Sequence, residues 1–127
     1  MQRFFWVCFA GALGTGVRYL IGLWAGERFG PAFPAATLIV NLAGCFSIAV
    51  LMHLALRLAA FPPGLRVVLT TGFMGGLTTY SAFNYETTRL WLDGTRRVAL
   101  LNFGVTVAGC LIAGLLGLAV ARKLVGG

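Results

Sequence analysis

The segment with the most chemistry in this chain is "TTGFMGGLTTYSAF", residues 70–83. It combines three glycines, four threonines and a serine with three aromatic residues, and it carries no charged side chain. Backbone carbonyl groups bind small hard cations, and neutral hydroxyl groups donate hydrogen bonds to anions. The segment therefore offers ligands for a small ion.

Further neutral polar residues recur at helical spacing inside apolar stretches. Thr37 and Asn41 lie one turn apart, and Asn102, Thr106 and Cys110 follow one another at intervals of four. Amide and hydroxyl groups can replace part of the hydration shell of an anion, whereas carboxylates in the same places would repel it. This pattern favours a pathway or binding site for an anion.

The ionisable residues mostly avoid the apolar stretches. Glu27 and Asp93 fall in connectors, and Glu86 lies toward one end of a stretch. Arg18 is well inside an apolar stretch, so it is a functional candidate, although its side chain could instead extend to the membrane surface. His53 has no partner at metal-ligand spacing, and we expect it to be an interfacial residue.

The composition indicates an integral membrane protein. The chain has 127 residues, of which 59% are hydrophobic and 10% charged, and its mean hydropathy is +0.90. Four apolar stretches cover about 4–26, 35–59, 65–90 and 98–121, each as long as the ~20 residues that a membrane-spanning helix needs. We therefore predict an all-α fold, with residues 1–127 forming a single transmembrane domain of four helices.

The third predicted helix contains the opening segment, and we expect a break near its middle, at about 75–79. Its 26 or so residues would span roughly 39 Å as a straight helix, more than a membrane crossing requires. Glycines at 72, 75 and 76 weaken the helix, and hydroxyl groups at 78, 79 and 81 can satisfy the freed backbone groups. A continuous helix with a glycine-rich crossing point is the alternative.

The net charge of +7 does not indicate a nucleic-acid-binding protein, because nine of the ten basic residues flank the apolar stretches. With four crossings, five of these nine lie on one side and four on the other, and Arg18, inside the first stretch, would make five on each side. So small a bias predicts insertion in both orientations, and hence an antiparallel dimer, although a bias of one charge could still suffice. Gly109, Ala113 and Gly117 form a small-residue stripe, suited to packing between subunits or within one.

The three cysteines, Cys8, Cys45 and Cys110, all lie within apolar stretches and lack metal-ligand spacing. We expect them to be small buried hydrophobic residues.

Three motifs together resemble the Fluc (CrcB) family of fluoride channels. They are "GALGTGVRYLIG", "TLIVNLAGCFS" and "TGFMGGLTTYSAF", which lie in the first three predicted helices. The resemblance extends over essentially the whole chain. It implies a fluoride-selective channel, not an enzyme, that gives fluoride resistance by passive export across the bacterial inner membrane. It also implies an antiparallel, dual-topology homodimer with a structural sodium ion at the subunit interface.

The resemblance assigns roles to individual residues of the first three helices. Backbone carbonyls of Gly75 and Thr78 would bind the sodium ion. Asn41 would face the pore, with Thr37 one turn before it, and Arg18 would lie at the vestibule.

The remaining pore-lining positions follow from the third and fourth helices. Phe83 matches one of the paired phenylalanines of the family, and Tyr80 replaces the other. A tyrosine keeps the positive ring edge that can meet an anion and adds a hydroxyl group. Ser81 belongs to the same motif and Thr106 matches a hydroxyl position, while Asn102 stands where some relatives have tyrosine.

Two other classes of function remain open. A proton-coupled small multidrug transporter also has four short helices, but it would need a carboxylate near the middle of the first one, where this chain has no acid before Glu27. In a non-transporting accessory subunit, the polar residues inside the membrane would only hold the helices together.

Overall fold

Residues 1–125 are described by a computed structural model, and within them all regular structure is helical, as predicted. Three helices are long and apolar enough to cross a membrane: α1 (Gln2–Phe29), α2 (Ala35–Arg57) and α6 (Arg96–Val125). The expectation of a multi-pass membrane protein is therefore supported.

Between α2 and α6 lies a chain of shorter elements, residues 63–92, which we call the broken segment. It begins with α3 (Pro63–Val67), continues through a π-helical stretch (Val68–Met74) into α4 (Gly75–Leu77), and resumes as α5 (Tyr80–Leu92). Thr78 and Thr79 between them are extended, with φ/ψ of −88°/155° and −152°/113°. The interruption falls inside the predicted range 75–79 but covers two residues.

The helix ends differ from the predicted ones by a few residues. α1 and α6 extend past the apolar stretches 4–26 and 98–121, because basic residues such as Arg28 and Lys123 continue the helices beyond them. α1 ends at Gly30, whose φ of 70° suits glycine. α2 stops at Arg57, short of 59, and the broken segment starts at Pro63, because proline fits the first turn of a helix.

Glycines bring α1 and the broken segment into backbone contact. A Cβ atom added at Gly72 would lie 2.8 Å from the Val7 carbonyl oxygen, and one at Gly76 would collide with the carbonyl of Gly11. The residue numbers of the paired positions increase together along both elements. The α1 helix and the part of the broken segment before the break (residues 63–77, the first arm) therefore run parallel; α5 is the second arm.

The helices α2 and α6 also pack closely and run parallel. A Cβ atom at Gly109 would lie 3.0 Å from Leu42 Cδ2, and one at Gly117 would collide with the Phe46 carbonyl. At both of these glycines the small-residue stripe of α6 therefore packs within the chain.

Candidate functional site

Asn41 on α2 holds the extended stretch of the broken segment with both ends of its side-chain amide. Its Oδ1 accepts a hydrogen bond of 2.8 Å from the Thr79 backbone N–H, and its Nδ2 donates one of 3.0 Å to the Thr79 carbonyl. Asn41 is buried, with 8% of its surface exposed. One carboxamide thus replaces two backbone partners that a continuous helix would supply, and one amide hydrogen remains for another acceptor.

Thr79 also caps the second arm. Its Oγ1 accepts a hydrogen bond of 3.1 Å from the Ala82 N–H and lies 3.1 Å from the Ser81 hydroxyl oxygen. Threonine favours this N-cap position because its hydroxyl satisfies a free backbone donor of the first turn. Ser81 is exposed, so its hydroxyl can donate outward when Thr79 donates to it.

The hydrogen bonds made by Asn41 and by the Thr79 hydroxyl leave two backbone carbonyl groups without the N–H donors that a continuous helix would provide. In a continuous helix Thr79 N–H would donate to Gly75 and Ala82 N–H to Thr78, but both are directed elsewhere. The Gly76 carbonyl accepts from Arg18 Nε at 3.0 Å. Arg18 therefore binds the end of the first arm.

Glu86 meets Thr37 across the interface between α5 and α2. The Thr37 hydroxyl donates a hydrogen bond of 2.8 Å to Glu86 Oε1. The other oxygen, Oε2, is buried and has no hydrogen-bond partner among residues 1–125. Thr37 therefore binds a carboxylate, and Glu86 keeps one oxygen that can accept a further proton donor or water.

Three aromatic rings stand in a row beside the break. The ring centroids of Tyr80 and Phe83 are 5.7 Å apart with planes tilted by 59°, and those of Phe83 and Phe103 are 6.2 Å apart and stacked. Phe83 is buried, whereas Tyr80 is 78% exposed. Ring edges at such positions present partial positive charge to an approaching anion.

A line of neutral hydrogen bonds fixes Phe83 to α6. The Thr87 hydroxyl donates to the Phe83 carbonyl at 2.7 Å, and Asn102 Nδ2 donates to Thr87 Oγ1 at 2.8 Å. Thr106 in turn donates to Asn102 Oδ1 at 3.4 Å. Asn102 is 1% exposed, so its amide orients other groups within the protein.

Two cavities meet at Thr79, which lines both. The first, of about 430 Å³, contains the side chains of Arg18, Thr37 and Glu86, and we call it the Arg18 cavity. The second, of about 520 Å³, is the Phe83 cavity. It is lined at the break by Gly75 and Thr78, and on its other walls by Asn41, Tyr80, Phe83 and Thr106.

The two cavities differ in charge. The residues that line the Phe83 cavity are all neutral, whereas an arginine and a glutamate are among the residues that line the Arg18 cavity. An anion would therefore find a basic group in one cavity, and neutral donors and ring edges in the other.

The structure groups some of the predicted site residues and separates others. Asn41, Tyr80, Phe83 and Thr106 share the Phe83 cavity with the predicted carbonyl ligands of Gly75 and Thr78. Thr37 lines the Arg18 cavity instead, and Asn102 is buried behind Thr106. Ser81 lies beside the break, next to Thr79.

Sequence reasoning overlooked four residues of this site. Thr79 was considered only as a hydroxyl donor, Phe103 and Thr87 were not singled out, and Glu86 was placed only near a helix end. Phe103 directly follows Asn102, and Thr87 lies four residues after Phe83 on the same helix face. Spacing could therefore have indicated Thr87, whereas no local pattern pairs Glu86 with Thr37.

Comparison with known proteins places this architecture in a family. Residues 5–118 match the family described as CrcB-like protein, Camphor Resistance (CrcB). A fluoride-specific ion channel FluC from Anaeromyxobacter sp. (strain K) is 47% identical over 126 residues, 99% of this chain and 100% of the relative. Proteins of that name from Sorangium cellulosum and Citrifermentans bemidjiense are each 44% identical, over 100% and 98% of this chain and all of the relative. The resemblance of the three sequence motifs is thereby confirmed, and the chain belongs to the CrcB family.

Proposed function

We propose that this protein is a fluoride-selective ion channel that lets fluoride leave the cell passively, and that it thereby gives fluoride resistance. Relatives that match the chain from end to end are named fluoride-specific ion channels. The observation that carries the proposal is the uncharged Phe83 cavity, whose lining residues beside the helix break supply an amide, hydroxyl groups and aromatic rings. As a channel, the protein catalyses no reaction.

The chemistry of fluoride suits such a cavity. Fluoride is small and strongly hydrated, so a pathway must replace its water without binding it too tightly for release. The free amide hydrogen of Asn41, the Ser81 hydroxyl and the ring edges of Tyr80 and Phe83 are neutral donors of this kind. Thr79 borders both cavities, so an ion passing from Arg18 toward Phe83 would pass beside the break.

We propose four membrane crossings, the broken segment being the third. Since α2 and α6 run parallel, the chain must return across the membrane between them. The broken segment provides this return, because it runs parallel to α1 and opposite to α2. Asn41 bonds to Thr79, and Thr37, which comes earlier on α2, bonds to Glu86, which comes later on the broken segment. The two elements therefore run antiparallel.

We further propose an antiparallel homodimer inserted in both orientations. Thr71, Gly75 and Ser81 are exposed near the break in the single chain, and Tyr80 is 78% exposed. Irregular backbone at membrane depth is stable only where protein or a wet cavity covers it. A second copy in the opposite orientation would cover this surface, and the near-even distribution of basic residues permits that orientation. Light scattering of the purified protein should give the mass of two chains.

A structural sodium ion at the dimer interface completes the proposal. The carbonyls of Gly75 and Thr78 fit this role, because both lose their helical donors and belong to residues that line the Phe83 cavity. Carbonyl oxygens are suitable ligands for a hard cation, and bound sodium would add positive charge near the pathway. Crystals of the dimer grown with and without sodium would test this site directly.

We also assign the protein to the bacterial inner membrane, on the basis of its membership of the CrcB family.

Electrogenic efflux from liposomes tests the function. Liposomes that contain the protein and potassium fluoride should release fluoride when valinomycin carries potassium out, and those loaded with potassium chloride should retain chloride. A multidrug transporter would release neither ion, and a non-transporting subunit would behave like protein-free liposomes. Equal release of chloride and fluoride would contradict the proposed selectivity.

A further inference from the structure

Two of the three cysteines, Cys45 on α2 and Cys110 on α6, lie on helices that pack together. Both residues line the same two cavities beside these helices. The helices approach closely here, since a Cβ atom at Gly114, one turn after Cys110, would lie 3.9 Å from the Cys45 carbonyl oxygen. Both thiols are partly exposed, and Cys8 on α1 is fully exposed. The expectation that all three cysteines are buried is therefore wrong for Cys8, while Cys45 and Cys110 are only partly buried in the single chain.

The thiol pair is accessible from two cavities. Cys45 and Cys110 both line the Phe83 cavity. Both also line another cavity, of about 670 Å³, between α2 and α6. Residues 1–125 contain no cluster of three or more His, Cys, Asp or Glu side chains. Only two ligands are present, so the pair suits metal ions that are satisfied by linear coordination through two sulfur atoms.

We propose that Cys45 and Cys110 form a two-coordinate binding site for a soft metal ion of the Cu(I), Ag(I) or Hg(II) class. Thiolate sulfur selects soft ions of this type. Binding of mercuric chloride would form two S–Hg bonds, release both thiol protons and displace both chlorides, without oxidation or reduction. An ion held there occupies the wall of the cavity that Asn41 and Phe83 also line. It therefore blocks passage, and this second step rests on the proposed channel function.

Metal retention in detergent tests the site without any flux measurement. The purified protein receives one equivalent of mercuric chloride, is washed with excess free cysteine, and is then alkylated in denaturant and weighed by mass spectrometry. We expect one retained Hg(II) and one alkylated thiol, that of Cys8. The Cys8→Ala control should retain the metal and show no alkylation. Retention by wild type together with three alkylated thiols would contradict a bridged pair.

Single replacements separate chelation from simple thiol binding. In Cys45→Ala or Cys110→Ala the metal has one protein ligand, and its affinity should fall at least ~100-fold, because the second thiol no longer acts at high effective concentration. Methylmercury, which accepts only one thiol, provides the same comparison on wild type, so the test does not depend on how a variant folds. Equal retention of methylmercury and Hg(II) would overturn the site.

The blocking step has its own measurement. Hg(II) should abolish fluoride efflux from liposomes containing wild type or Cys8→Ala, whereas the Cys45→Ala/Cys110→Ala double variant should show the same efflux with Hg(II) as it shows without the metal. Unchanged efflux with the metal bound would refute the block. If wild type conducts no fluoride at all, the proposed function fails, but the retention experiment still decides the metal site.

Discussion

A single side-chain amide satisfies the backbone hydrogen-bonding groups of Thr79 at the break. Asn41 provides one acceptor and one donor to Thr79, at 2.8 and 3.0 Å. A buried backbone group without a partner costs about 1–3 kcal/mol, so both bonds contribute to holding the extended conformation. The side chain therefore has a structural role beside the pore-facing role that the family resemblance implies and that we propose.

Replacing Asn41 with aspartate tests this combination. The carboxylate keeps the acceptor for the Thr79 N–H but places a second oxygen against the Thr79 carbonyl, and its charge would repel fluoride. We expect the free energy of unfolding to fall by about 1–3 kcal/mol and efflux to fall at least tenfold. Asn84→Asp, on an exposed position of α5, is the matched control and should conduct normally. Normal efflux through Asn41→Asp would remove Asn41 from the pathway.

The ring edge of Phe83 is tested by Phe83→Ile. Isoleucine keeps an apolar side chain of moderate bulk but removes the ring that stacks on Phe103. We expect a stability loss of about 1–3 kcal/mol from imperfect packing, with most fluoride efflux lost. Phe9→Ile is the control, since Phe9 is 58% exposed on α1. An unaltered rate in Phe83→Ile would show that the ring does not meet the ion.

The neighbouring replacement Tyr80→Phe should conduct fluoride and remain selective against chloride.

Residue spacing predicted only part of this site. Asn41, Tyr80, Phe83 and Thr106 could be chosen from polarity, aromatic character and family motifs, and they share one cavity. The bond from Thr37 to Glu86 joins residues far apart in sequence, and no periodicity of either helix specifies it. Such a contact depends on how the helices cross.

At the scale of elements, the glycines of the broken segment act differently from the prediction. Gly75 has helical φ/ψ of −62°/−36°, and the chain leaves the helix three residues later. Gly72 and Gly76 instead make room for the backbone of α1. The position of the break could be predicted approximately because glycines and threonines cluster there. Its cause could not, because it depends on Asn41 from another helix.

A pair of alanine substitutions tests this role of glycine. Gly76→Ala places a methyl group against the Gly11 carbonyl, and we expect it to lower stability by about 1–3 kcal/mol through overpacking. Gly16→Ala has no atom within 4 Å of the added group and should be neutral or slightly stabilising, because alanine favours the helix. The midpoint of thermal unfolding in detergent gives the comparison. Equal midpoints for the two variants would contradict close packing at Gly76.

At the scale of the whole molecule, we expect the protein to insert into the membrane in both orientations. The basic residues divide almost evenly between the two sides of four crossings, so reporters fused to the C-terminus should give signals on both sides of the membrane. Two lysines added to one connector should favour a single orientation and reduce efflux, because oppositely inserted partners become scarce. A wild-type reporter signal on one side only would exclude the antiparallel dimer.

The break at Thr78 and Thr79 has one further consequence, which concerns the dipoles of its two arms. The first arm ends there with its carbonyl groups, and the second begins there with its amide groups, so opposite helix poles of up to about half an elementary charge face each other inside the membrane. The molecule thus separates charge at this depth without a charged side chain in the Phe83 cavity. Because the poles belong to the backbone, they persist for as long as the chain stays extended at Thr78 and Thr79.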